Sequence, residues 1–307
     1  MSNKLVHFSA VLVIGVFLLS SVNAQTNYFS TSVFNNKVRF NPSQAGMAKG
    51  YNFDASVKTP RDNSQAGLPT EFAFSADMPV SESAGVGVVF QSQSGGLLKQ
   101  TVFNFCYAYG IQFKEDLRLR FGIAAGFKNI RAETAANLSN IIGDPNDPAI
   151  SAYNSIPPSF YNAFSFTMYS RNLEVQVVAP NLTAALQNKN LQSLDYLQLQ
   201  AGVSYQRQVG GGRLLSEDSY VKLFAGLLKY KESSSIITGG VMLNANGFLS
   251  GNLQYNTAGV ITAGIGIPIE KTYNIFVNYS IGGLYSKAIY GGGGVAEVHF
   301  NCSFKKK

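Results

Sequence analysis

Leu117-Arg118-Leu119-Arg120-Phe121-Gly122-Ile123 is the stretch that decides the fold. Its odd positions are apolar and two arginines lie between them, so a strand sends Leu117, Leu119, Phe121 and Ile123 to one face and Arg118 and Arg120 to the other. A sheet with a dry core would bury those arginines, whereas a membrane barrel points them into a wet lumen and turns the apolar set to lipid. The alternation returns in Leu173, Val175 and Val177 against Glu174 and Gln176, and in Leu197, Leu199, Ala201 and Val203 against Gln198, Gln200, Gly202 and Ser204. Further on, Ile275, Val277, Tyr279 and Ile281 oppose Asn274, Asn278 and Ser280, with Phe276 breaking the pattern.

Segments of this kind number about fourteen, an even count as bacterial single-chain barrels require. They start near Asn52, Thr70, Ala84, Lys99, Leu117, Ser159, Leu173, Leu194, Ser219, Ser234, Gly247, Ala258, Thr272 and Gly292. The expected fold is therefore an all-β, antiparallel transmembrane barrel over 52–307 with both termini periplasmic. In that orientation the longer connections 59–69, 128–158, 180–193 and 282–291 face outward, and short links such as Lys114-Glu115-Asp116, Ser170-Arg171-Asn172 and Asn244-Ala245-Asn246 face inward. Gln208 to Asp218 is a longer inward exception. A secreted β-sandwich would also alternate. The many Tyr and Phe near segment ends, which suit interfacial girdles, and the in-phase loops favour the barrel.

Ahead of the barrel, Lys4, the apolar run Val6 to Leu19 and Val22-Asn23-Ala24 before Gln25 form the three regions of a secretory signal peptide. Residues 1–24 are read as that leader and 25–51 as a periplasmic N-terminal segment. No Cys stands at the cut, which excludes lipoprotein processing there. Outer-membrane localisation in a Gram-negative envelope follows from leader and barrel together.

Composition agrees with a wall between lipid and water. Hydrophobic residues make up 46% of the chain and charged residues 13%, which sets aside a disordered chain. The formal charge of +7 is spread along the sequence, its only tight cluster being Lys305-Lys306-Lys307, so it gives no nucleic-acid patch.

The inventory for chemistry is short. With His7 in the leader, His299 stands alone; beside Glu297 and Asn301 it belongs to a polar lumen ladder opposite Val298, Phe300, Cys302 and Phe304. Gly291 to Gly294 lacks the Lys and helix of a phosphate loop and suits a hairpin turn. Asp144 and Asp147 are too few for Ca²⁺; with Pro145 and Pro148 they form a stiff outer loop suited to recognition. Cys106 and Cys302, on non-neighbouring strands, are expected as free thiols. No catalytic residue, metal or cofactor is expected, and the chain is read as a non-enzyme.

The mature N-terminus carries Gln25, Phe29-Ser30, Phe34-Asn35 and Asn41-Pro42-Ser43-Gln44-Ala45-Gly46. Next come Phe74-Ser75-Ala76-Asp77-Met78-Pro79, Gly85-Val86-Gly87, Leu117 to Gly126, and Asp144-Pro145-Asn146-Asp147-Pro148. In these the chain resembles the PorP/SprF family of the Bacteroidetes type IX secretion and gliding motility system. Near the end it departs: where the family often carries Gly-Ser-His-Glu, this chain has Gly294-Val295-Ala296-Glu297. The resemblance implies an outer-membrane component that binds, anchors or helps deliver secreted cargo such as an adhesin, beside other secretion components in periplasm and outer membrane. Arg118, Arg120, Gln198, Gln200 and Glu297 are the candidate lumen contacts for that cargo, and Asp144, Pro145, Asp147 and Pro148 the candidate outer-loop contacts. A passive porin or hydrophobic-substrate transporter is the alternative.

Overall fold

The computed structural model describes residues 32–48, 50–60, 70–95, 98–132, 151, 154–155, 157–182, 197–211, 216–230, 235–245, 248–269, 272–282 and 294–305. The leader, the cleavage site, Asp144-Pro145-Asn146-Asp147-Pro148 and the Gly291–Gly293 run lie outside these residues.

Alternation becomes strand at each expected place: β1 (Gly50–Pro60), β2 (Thr70–Pro79), β3 (Ala84–Gly95), β4 (Leu98–Lys114), β5 (Leu117–Ala132), β6 (Ser159–Ser170) and β7 (Leu173–Pro180). The circuit continues with β8 (Leu197–Gln208), β9 (Tyr220–Tyr230), β10 (Ile236–Ala245), β11 (Leu249–Asn256), β12 (Val260–Ile269), β13 (Tyr273–Gly282) and β14 (Val295–Lys305). Each strand pairs antiparallel with its sequence neighbours, and β1 closes the ring on β14 from Gly50↔Lys305 to Pro60↔Val295. Closure leaves no strand edge to be solvated, the condition for crossing a hydrocarbon layer with sheet. Among the described residues no helix is long and apolar enough to cross a membrane.

Burial follows parity. In β4, Asn104, Cys106 and Ala108 are buried while Phe103, Phe105, Tyr107 and Tyr109 are exposed; in β5, Arg120 and Ala124 are buried while Phe121, Ile123 and Phe127 are exposed. Phe105 and Phe127 are more than 60% exposed. In water such residues would each forfeit about 2 kcal/mol of burial, so the outer face is built for lipid. Where β1, β13 and β14 meet, Phe53, Tyr273, Phe300 and Phe304 contact one another on that face, with centroids 6.0–6.3 Å apart. Such an aromatic cluster suits the membrane interface. The cysteines are free. Cys302 shares the parity of Phe300 and Phe304, whereas Cys106 packs inward with Val38 and Ala45. A wall separates the two thiols.

One difference from the sequence reading concerns 25–51. Its described part is no separate segment ahead of the barrel: residues 32–47 lie inside the ring. They form two single-turn helices, α1 (Ser32–Asn35) and α2 (Lys37–Phe40), and a 3-10 turn at Pro42–Gln44. Strand alternation reports the polarity of a lumen and is silent on whether water or protein fills it.

Candidate functional site: the occupied lumen

The inner segment is shaped by its own sequence. Asn36 caps α2 by accepting from the Arg39 amide at 3.1 Å. Asn41 then caps the 3-10 turn, its side-chain oxygen accepting from the Ser43 amide at 3.0 Å and the Ser43 hydroxyl at 2.7 Å. Pro42 at the first position of that turn has no amide hydrogen to leave unsatisfied. Gly46 leaves the turn at φ +68°, and its amide donates to Asp77 Oδ2 at 2.8 Å. A Cβ there would lie 2.6 Å from Met78 O, so only glycine fits.

One wall holds the segment with directed bonds. Arg120, 1% exposed, donates from Nε to Ser43 O at 2.8 Å and from Nη2 to Ala45 O at 2.6 Å. Both are carbonyls that a short turn leaves without partners. The Ser43 amide also donates to Ser165 Oγ at 2.8 Å, and the Ser43 hydroxyl meets Thr167 Oγ1 at 2.6 Å. Asn41 Nδ2 reaches Thr167 Oγ1 and Gln176 Oε1, each at 2.9 Å. Gln44 donates to Glu174 Oε1 at 3.0 Å and accepts from the Tyr169 hydroxyl. Backbone contact this close requires a wall without side chain: a Cβ on Gly122 would sit 2.1 Å from Ser43 N.

Charge supplements these bonds. Glu174 Oε2 accepts from Lys37 of the segment at 3.0 Å and from Lys222 of β9 at 2.9 Å. Burial opposes the Lys37 charge, but Glu174 prevails and holds this ammonium above its ordinary value. Arg39 pairs with Glu71 of β2. Asn36 Nδ2 donates to Asp54 Oδ1 at 2.7 Å, and Ser75 Oγ donates to Asn36 Oδ1 at 3.1 Å. Asp54 also faces the fully buried His299, whose Nδ1 lies 3.7 Å away while its Nε2 bonds Glu297 at 2.8 Å.

A second wall, β9–β10 farther round the ring, is apolar. Val33, Phe34 and Phe40 pack with Phe224, Leu228 and Tyr230 of β9 and Ile236 and Met242 of β10, and Phe276 leans on the same cluster. Phe34 and Phe224 meet edge to face with centroids 5.9 Å apart. Nearer β3–β6, Val38 and Ala45 pack with Val89, Cys106, Ala108, Ala124 and Ala163. The segment thus touches walls across the ring.

The residues singled out from sequence take different places. Arg120 is the centre of the grip on the segment, a role alternation alone does not reveal. Glu297 serves the cluster that reaches the segment through His299 and Asp54. Arg118 is half-buried and donates to Glu82 O at 2.8 Å near the short-turn rim, apart from that centre. Gln200 is buried on β8. The Gln198 side chain and all of Asp144, Pro145, Asp147 and Pro148 lie outside the described residues. Asn41, Ser43, Gln44, Ser165, Thr167 and Glu174 were missed. The available signals were the capped Asn41-Pro42-Ser43 turn and a β9 that is apolar at both parities.

The arrangement consists of hydrogen-bonding and packing groups. Among the described residues there is no group of three or more His, Cys, Asp or Glu able to hold a metal ion.

Comparison with known proteins gives the fold and the family separately. No curated protein matches the chain. The Acinetobacter baumannii outer membrane protein Omp33 is similar with a TM-score of 0.50 at 7% identity, covering 83% of this chain and 99% of its own. The P. putida toluene transporter TodX is similar with a TM-score of 0.51 at 9% identity, covering 89% of this chain and 95% of its own. At such identity they speak for the barrel fold alone. The family described as Type IX secretion system membrane protein PorP/SprF matches residues 22–295. The chain therefore belongs to the PorP/SprF family, an outer-membrane component of type IX secretion.

Proposed function

We propose that this barrel holds a type IX cargo, such as an adhesin, at the cell surface or assists its delivery there, receiving it on the rim that carries the long connections. The observation that carries this reading is the occupied lumen: residues 32–47 take up the hydrogen-bonding groups that a passing solute or threaded chain would use. Binding then falls to the rims. Gly50, Lys305 and the short turns share one rim, and the longest connections share the other. With both termini in the periplasm, the long connections face outward, and 128–158 with Asp144, Pro145, Asp147 and Pro148 and 282–291 become the cargo-facing loops. Arg120 and Glu297 serve cargo indirectly by fixing the inner segment, and Arg118, Gln198 and Gln200 would contact a cargo segment only where it displaces residues 32–47.

Surface cargo in a deletion strain, complemented with the wild-type chain or with one whose residues 140–150 are replaced by a Gly/Ser linker, tests the reading. Membrane fractionation checks that each barrel is present. Cargo should leave the surface in the deletion strain and return only with the wild-type chain. Full secretion and attachment of every type IX cargo in the deletion strain would contradict it and favour a passive porin or hydrophobic-substrate transporter.

A further inference from the structure

The rim that carries the short turns is charged in a way that neither the lipid wall nor the cargo reading explains. A polar cavity of about 520 Å³ opens there between β6–β9 and the inner segment. Lys37, Lys222, Arg171 and Arg207 line it with Glu174. Arg171 is bound to Asp116 at 2.7 Å, and among the described residues Arg207 makes no ion pair. Four cations therefore meet two carboxylates. Lys37 and Lys222 share one oxygen of Glu174, although each ammonium carries three donors and could serve another acceptor.

We propose that this cavity is a carboxylate-recognition site for an acidic segment of a partner protein. The volume lies in the range of built ligand pockets and far exceeds one phosphate, and Gln206 and Asn172 beside the cations supply amides for a peptide backbone. Lys37 is 37% and Arg171 78% exposed at the side chain, so an incoming carboxylate reaches them without crossing the barrel. Because Lys37 belongs to the inner segment and also binds Glu174, an acidic residue that takes it competes with that tether. Occupancy at this rim and the seating of residues 32–47 are then reciprocally linked, each altering the free energy of the other.

Fluorescein-labelled tetraglutamate titrated into the purified full-length chain in detergent micelles, followed by anisotropy, tests the site. Binding should be saturable, weaken as ionic strength rises, and be absent for tetralysine. Lys37→Gln should weaken it about tenfold and Arg207→Gln about threefold, the latter an exposed change that leaves the barrel's packing alone. No saturable binding, equal binding of tetralysine, or affinity unchanged in both variants overturns the proposal. Displacement of the peptide by equimolar inorganic phosphate also overturns it, in favour of a small-anion site. Since the cargo assay concerns the opposite rim, either reading can fail while the other stands.

Discussion

Two walls of one lumen grip the same segment by different physics. On β5–β7, Arg120, Ser165, Thr167, Gln176 and Glu174 meet it through directed hydrogen bonds, several of them to backbone atoms. On β9–β10, Phe224, Leu228, Tyr230, Ile236 and Met242 meet it through apolar packing. Hydrogen bonds depend steeply on distance and angle, so the first wall sets the segment's position. Apolar burial is non-directional, so the second supplies adhesion with little preference for register.

Gly122→Val should disrupt the polar wall most severely, since its first side-chain carbon would lie 2.1 Å from Ser43 N and the wall could no longer approach. Hydrogen exchange of the amides of residues 36–46 should rise by orders of magnitude, with heat-modifiable mobility of the barrel retained. Arg120→Met comes next: it leaves Ser43 O and Ala45 O without their donor and should weaken docking of the segment by about 4 kcal/mol, read by the same exchange. Spin labels on the segment and on β6 should also report a broadened distance, because position is lost along with affinity.

Phe34→Ala attacks the other wall. Its expected cost is about 3 kcal/mol, but the spin-label distance should stay narrow because the polar bonds remain. An equally broad distribution in this variant would erase the proposed division of labour. Lys37→Gln should have the smallest effect on docking, under about 1 kcal/mol, its side chain being 37% exposed to solvent. A loss as large as that from Arg120→Met would show that the salt bridge, and not the turn carbonyls, fixes the segment.

The barrel was legible because lipid and lumen impose opposite demands on successive residues. Leu117–Ile123 carries that contrast, and the expected starts at Thr70, Ala84, Leu117, Ser159 and Leu173 coincide with the strands. β14 begins at Val295 instead of near Gly292, because a glycine run has no side chains to reveal a face. The inner segment was hidden for a different reason. Its helices are four residues each, too short for a helical period, and several of its polar contacts join residues more than 100 positions apart. Phe276, which breaks its strand's alternation, was a further visible trace. In an empty polar lumen an inward phenylalanine has no function; against the Phe34 cluster it has a partner.

Planar-bilayer conductance reads whether the protein's own residues 32–47 occupy its lumen. The full-length chain should stay near the baseline. A chain lacking residues 32–47, and independently Gly122→Val, should carry a steady current through the vacated barrel. Wild-type current equal to that of both variants would contradict the account.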